Sequence, residues 1–358
     1  MQALSFITGS VALTNDVAIP VYGLFIFAFV ISYALVPLVT EIAYSSGAVA
    51  LPGKRHIHTH PTPKFGGIAI ASGILLVSCF ISPFDKTIWS YIISSILMLI
   101  LGIIDDIRTA HWKLKLGFSL VATSIIIFGA GIWVKSLGDL FGLGEIYLGI
   151  FGIPFTYVAV FGVVNAINLI DGLNGLACGI SSIAFATFAA FALVNGNETV
   201  FYLSVINLGG TLGLFRYNYP RAKIFMGDSG SLFLGFSLAV HAIMLTQGNG
   251  TVDPMVPVII LGIPIFDTIR VMMLRIWRNK HPFLADKTHM HHLMIRSGIA
   301  PGRVVKTYWL FSALLSLLAF ALYTLNSWVM FLVLCILMSF VGVFIENLRI
   351  IKLSAARK

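Results

Sequence analysis

Five aspartates, Asp105, Asp106, Asp171, Asp228 and Asp267, fall at or near the ends of long apolar runs. A carboxylate costs about 2.5 to 3.5 kcal/mol at the centre of a membrane helix on insertion scales, so acids kept beside such runs point to function. Amides accompany them. The segment Asn165-Ala-Ile-Asn168-Leu-Ile-Asp171-Gly172-Leu-Asn174-Gly175 carries a polar residue at every third position, which keeps these side chains on neighbouring sides of a helix end. Gly172 and Gly175 permit a tight turn or the approach of a ligand to the backbone. Carboxylate and amide oxygens are hard donors suited to Mg²⁺, which takes few protein ligands and completes its shell with phosphate and water oxygens. The same stripe also suits hydrogen bonding between membrane helices.

Phe225-Met226-Gly227-Asp228-Ser229-Gly230-Ser231 opens another apolar run. Asp228 has two readings there, a helix cap or part of an anion-binding turn with free backbone N–H groups. Two histidine groups follow the same pattern of polar residues beside apolar runs: His289-Met290-His291-His292 with Arg296, and His56, His58 and His60 beside Lys54, Arg55 and Lys64. Neither has the partner cysteines or the spacing of a zinc site. Imidazole and guanidinium groups beside a Mg²⁺ site fit better as hydrogen-bond donors to a diphosphate. Lys113 and Lys115 lie about two helical turns beyond Asp106 and either anchor a lipid phosphate or set topology. Asp267 either faces a groove opened by a bend at Pro264 or pairs with Arg270 one turn later. His241 reads as a packed or interhelical residue, and Cys79, Cys178 and Cys335 as scattered small apolar residues.

The elements that must position these groups are membrane helices. Of the 358 residues, 58% are hydrophobic and only 10% charged, and mean hydropathy is +0.96. Apolar runs long enough to cross a hydrocarbon core recur at roughly 18–40, 66–83, 88–104, 115–134, 147–167, 175–194, 199–215, 230–246, 254–274, 306–325 and 327–346, about eleven in all. The chain therefore reads as an all-α integral membrane protein, a single polytopic domain over 1–358 whose first run is retained and whose ninth helix bends near Pro264. Taking loops alternately, every Lys and Arg except Lys86 and Lys135 falls on one side, which makes that side cytoplasmic and places the amino terminus outside and the carboxyl terminus inside. The cytoplasmic loops are then about 41–65, 105–114, 168–174, 216–229 and 275–305, and a cleft holding the five aspartates opens on that face. The net charge of +9 is this topology signal plus attraction to anionic substrate or lipid headgroups, not a nucleic-acid footprint.

Taken together, the motifs resemble the polyprenyl-phosphate N-acetylhexosamine-1-phosphate transferases, the WecA/TagO branch more than the MraY branch. The resemblance is carried by His58-Thr-His-Pro61-Thr-Pro63-Lys-Phe-Gly66-Gly67, Gly102-Ile-Ile-Asp105-Asp106, Asn165-Ala-Ile-Asn168-Leu-Ile-Asp171, Gly227-Asp228-Ser-Gly-Ser and His289-Met-His291-His292, in family order over 49 to about 303. It implies Mg²⁺-dependent transfer, with Mn²⁺ as a substitute metal, of a sugar 1-phosphate from a UDP-N-acetylhexosamine to undecaprenyl phosphate, with release of UMP. The setting would be the cytoplasmic face of the bacterial inner membrane, as the first step of a cell-envelope glycan of the O-antigen, common-antigen or teichoic-acid type. By the same resemblance Asp105, Asp106 and Asp171 are catalytic and Asp228 and Asn168 hold the metal. The substrate-binding set is His289, His291, His292, Arg296, Asn165, Asn174, Lys113, Lys115 and His58, with Asp267 as a further candidate. Two departures stand out: Asn174 replaces an aspartate usual in relatives, and Ala50-Leu51-Pro52 stands where Asp-x-Pro is common. An amide cannot serve as a base.

The expected chemistry is a single in-line displacement of UMP by a lipid phosphate oxygen, which is already largely dianionic at pH 7 and needs no strong base. Asp105 would then orient the attacker. Two other readings stand beside this one: phospho-MurNAc-pentapeptide transfer, and a secondary transporter, which would place its site near the bilayer midplane and show repeated halves. GlcNAc is the first choice of sugar. The glycan pathway, the metal stoichiometry and a homo-oligomeric state are left open.

Overall fold

The computed structural model describes residues 10–14, 17–51, 60–81, 85–247, 252–279 and 288–355. His58, Lys54 and Arg55 lie outside these residues, as does 280–287 of the loop expected over 275–305. Most of the described residues are helical: α1 (Val21–Ser46), α2 (Gly66–Ser78), α3 (Lys86–Ile107), α4 (Trp112–Ser124, continued by a wider turn over Ile125–Ala130), α5 (Gly152–Ile170), α6 (Leu176–Val194), α7 (Glu198–Asn218), α8 (Gly227–Gln247), α9 (Met255–Ile260), α10 (Gly262–Trp277), α11 (Met290–Arg296), α12 (Pro301–Leu322) and α13 (Ser327–Ala355). Local chemistry marks their ends. Asp85 caps α3 by accepting the N–H groups of Thr87 and Ile88, Asn197 caps α7 through Val200, and Pro301 opens α12.

Each apolar run contains helix, and among the described residues nine helices are long and apolar enough to cross a membrane, which makes this a multi-pass membrane protein. The two runs that fall short do so for visible reasons. The run at 66–83 forms only the 13-residue α2. The run at 254–274 is divided at Leu261 into α9 and α10, where Pro264 lacks the N–H that would have bonded to the carbonyl of Ile260. The all-α expectation omits two short antiparallel ribbons, Ser10–Thr14 with Val17–Pro20 and Val49–Ala50 with Thr62–Pro63.

Helix α8 is the axis of the bundle. It packs against α2, α3, α5 and α6, and nearly all its residues are buried. Lipid tails supply no hydrophobic drive for helices to associate, so close packing requires small residues. Gly227, Ser229, Gly230, Ser231, Gly235 and Ser237 supply them. Around it, α1 packs on α2 and α7, α6 on α7 and α12, and α10 on α5. Asp85, Glu198 and Asp253 fall at helix ends opposite to the aspartate-rich end, and Asp139 and Glu145 lie in the connection between α4 and α5.

Candidate active site

Three backbone approaches build the site. Gly66 N–H donates to the carbonyl of Phe225 (3.0 Å) and Gly67 N–H to that of Met226 (2.8 Å), so the start of α2 lies along the chain entering α8. A Cβ on Gly67 would overlap the backbone of Gly230, and one on Gly102 would overlap Ser229. Gly227 has a positive φ of 73°, which a residue without a Cβ adopts freely. The ends of α2 and α3 therefore reach α8 at backbone distance, and they bring Lys64 and the Asp105–Asp106 pair with them.

The two adjacent aspartates separate in role. Asp106, 3% exposed, accepts the backbone N–H groups of Asp228 (2.9 Å) and Ser229 (2.9 Å) and so caps α8. Those N–H groups have no intrahelical partner, and a negative charge is favoured at that end of the helix. Asp228, offered by sequence as a cap, lies inside the first turn of α8 and is not the capping residue. Asp105 accepts the N–H of Ala110 (2.7 Å) and pairs with the Lys115 ammonium, holding the turn from α3 into α4.

From α5, the Asn168 amide nitrogen donates to Asp228 (2.5 Å) and to Ser231 Oγ (2.8 Å), leaving the Asn168 carbonyl oxygen as the donor atom open to a cation. Just past the end of α5, Asp171, Gly172 and Asn174 turn along a cavity of about 630 Å³. Asp106, Asp228, Asn168 and Lys64 line the same cavity, as do His292 and Arg296 of α11. Lys64 also donates to the backbone carbonyl of Asp106 (3.2 Å). Burial and the nearby carboxylates of Asp228 and Asp106 push the Asp171 carboxyl up to about 8. Burial above all, with the imidazole of His292, pushes His291 down to about 3, so this ring is neutral near pH 7.

Several expected site residues stand elsewhere. Asn165 donates to the carbonyl of Phe161 one turn back on α5 (2.7 Å) and is not part of the cavity wall. Lys113 is exposed beside the Trp112 ring, and Lys115 is committed to Asp105. His289 and His291 are buried behind the wall that His292 forms, with His291 against Gly172. Asp267 lies off the cavity and binds His289 (2.9 Å). Lys64 was not singled out as a site residue by sequence reasoning, although it lies inside the segment ending Pro63-Lys-Phe-Gly66-Gly67. Its signal was a lone cation next to glycines that need close backbone contact.

Among the described residues no three His, Cys, Asp or Glu side chains form a group able to hold a metal ion by themselves. The donor set still fits Mg²⁺, which leaves most positions to phosphate and water oxygens. Three carboxylates crowd one cavity wall, and their mutual repulsion is what a divalent cation relieves.

Residues 88–246 match the model of glycosyl transferase family 4. A probable undecaprenyl-phosphate N-acetylglucosaminyl 1-phosphate transferase of Bacillus subtilis is 35% identical over 89% of this chain and 90% of its own. An undecaprenyl-phosphate alpha-N-acetylglucosaminyl 1-phosphate transferase of Yersinia pestis is 29% identical over 82% of each chain. A decaprenyl-phosphate N-acetylglucosaminephosphotransferase of Mycolicibacterium smegmatis is 28% identical over 81% of this chain and 79% of its own.

Proposed function

The chain belongs to glycosyl transferase family 4, and from that premise we propose that it transfers N-acetylglucosamine 1-phosphate from the UDP-sugar to undecaprenyl phosphate, releasing UMP, at the cytoplasmic face of a bacterial inner membrane. The product would initiate a cell-envelope glycan. The observation that carries the reading is the convergence of Asp106, Asp171, Asp228, Asn168 and Lys64, from separate parts of the chain, on one cavity faced by His292 and Arg296. Carboxylates and cationic side chains around a cavity of about 630 Å³ suit a metal-bound diphosphate.

In the reaction an oxygen of the lipid phosphate attacks the sugar-linked phosphorus. The bond from that phosphorus to the oxygen bridging to UMP breaks, and UMP departs with the electron pair. Asp228 and the Asn168 carbonyl oxygen would hold Mg²⁺ beside Asp171; when bound, the ion neutralises charge developing on the phosphoryl oxygens and on UMP. Asp106 has both carboxylate oxygens engaged by backbone N–H groups, so its side chain is held at the start of α8 rather than free to swing toward a substrate. Asp105 is turned toward Ala110 and Lys115, which suits a role in holding the α3–α4 corner more than one in orienting the attacker. Lys64 attracts anionic substrate, and Arg296 and His292 offer donors to the diphosphate of the nucleotide sugar.

The decisive experiment is UMP release by detergent-purified protein given undecaprenyl phosphate, Mg²⁺ and a panel of UDP-sugars. Release is expected to need both lipid and metal and to be fastest with UDP-GlcNAc. Folded protein that releases no UMP from any UDP-HexNAc refutes the reading, and a preference for UDP-MurNAc-pentapeptide moves it to the peptidoglycan precursor. A site at one end of the bundle speaks against transport.

A pH dependence follows from Asp171. With its carboxyl pushed up to about 8, it holds a proton over much of the neutral range, and a divalent cation must displace it. Mg²⁺ affinity should rise with pH toward 8, by about tenfold per unit at most, and binding should release a proton. Calorimetry in buffers of different ionisation heat reads that release. Asp171→Asn should reduce it, and undiminished release from that variant would assign the proton to another group.

A further inference from the structure

Asp267, Arg270 and His289 form a cluster behind the cavity that the reaction as described does not use. Asp267, 2% exposed, accepts the His289 Nδ1 hydrogen at one carboxylate oxygen (2.9 Å) and the backbone N–H of Met290 at the other (2.9 Å). Arg270, one turn later on α10, donates to the same carboxylate (3.4 Å) and to the carbonyl of Thr288 (2.6 Å). Its other amino group faces Glu346 of α13 (3.7 Å). Three consecutive residues, Thr288 to Met290, are thus held by two side chains of α10.

The chain held in this way leads into α11, whose His292 and Arg296 face the cavity while His291 packs on Gly172 beside Asp171. Helix α11 has seven residues, too few to be stable without tertiary support. It contacts α12 and α13, and its entry is set by the Asp267–Arg270 pair. We infer that Asp267 and Arg270 are positioning residues that fix the His291–Arg296 wall of the cavity, so that their loss weakens capture of the nucleotide sugar without touching the lipid phosphate. The inference rests on the transferase reading for its kinetic test and on geometry alone for its structural one.

Asp267→Asn keeps size and one acceptor but puts an amide hydrogen against the His289 N–H. Arg270→Gln removes the Thr288 contact from the other side. Each variant is compared with the parent protein in detergent by steady-state kinetics with UDP-GlcNAc and undecaprenyl phosphate, and by amide hydrogen exchange over 288–296 and over α8. Both variants should raise KM for UDP-GlcNAc about tenfold or more, leave KM for the lipid within about twofold, and speed exchange over 288–296 with α8 unchanged. A collapse of kcat with both KM values unchanged would make Asp267 a participant in the chemistry and overturn the inference. Unchanged exchange over 288–296 would overturn it too. Should the parent protein release no UMP, the transferase reading falls, yet the exchange comparison still decides whether the pair holds this wall.

Discussion

Asp228→Ala reduces UMP release by about 10²- to 10³-fold at saturating substrates, the range found when one preorganised electrostatic group is taken from an active site. The residue sits in the first turn of α8, in the wall shared by Asp106 and Asp171, and its carboxylate is held by the Asn168 amide. Its loss removes a negative charge from the proposed cation site and leaves the Asn168 nitrogen its bond to Ser231. The turn itself does not depend on the Asp228 side chain, because Asp106 caps it through the backbone. The variant should therefore melt close to the parent in detergent while its rate collapses. Activity within about threefold of the parent would remove Asp228 from the metal site. A large fall in melting temperature would mean that the lost rate reports unfolding.

Gly102→Val should damage structure and activity together. A Cβ at position 102 would overlap the backbone of Ser229 and the carbonyl of Asp228, with no flexible side chain to yield. The larger residue forces α3 away from α8 at the level where Asp106 reaches the N–H groups of Asp228 and Ser229. Overpacking of this kind costs about 1 to 3 kcal/mol, and a displacement of about 1 Å at a catalytic wall costs on the order of 10² in rate. Gly117 is the matched control, since a Cβ on this α4 residue meets nothing within 4 Å. Gly117→Ala should leave melting and rate unchanged or slightly raise stability, as expected for alanine in a helix. Equal behaviour of the two variants would show that the α3–α8 contact is not what holds the site.

Most membrane helices were readable from the chain because twenty consecutive apolar residues have few other uses, and a charge beside them is costly enough to be noticed. Pro264 could be noticed in the chain for a comparable reason, as a missing donor at one known carbonyl, and it lies three residues past Leu261, where α9 and α10 divide. The short helix α2 was harder: its apolar run continues past Ser78, and nothing in composition says where the helix stops. The ribbon of Val49–Ala50 with Thr62–Pro63 was invisible too. It joins residues on both sides of a loop, and pairing of that kind has no signature in local propensity.

At the site, the sequence and its alternation of loops placed carboxylates, amides and histidines together at one end of an apolar bundle. Which of two adjacent aspartates faces the cavity was decided only in three dimensions. Asp105 and Asp106 are identical in type and differ by one step around α3, and that step turns one toward the N–H groups of α8 and the other toward Lys115. The same holds for the histidines: Asp267 and Gly172 are distant in sequence, and packing against them buries His289 and His291 and leaves His292 on the wall. Side-chain chemistry is a property of the residue and can be read in order along the chain. Direction, burial and partners belong to pairs of residues brought together by helix packing, and only the folded bundle specifies them.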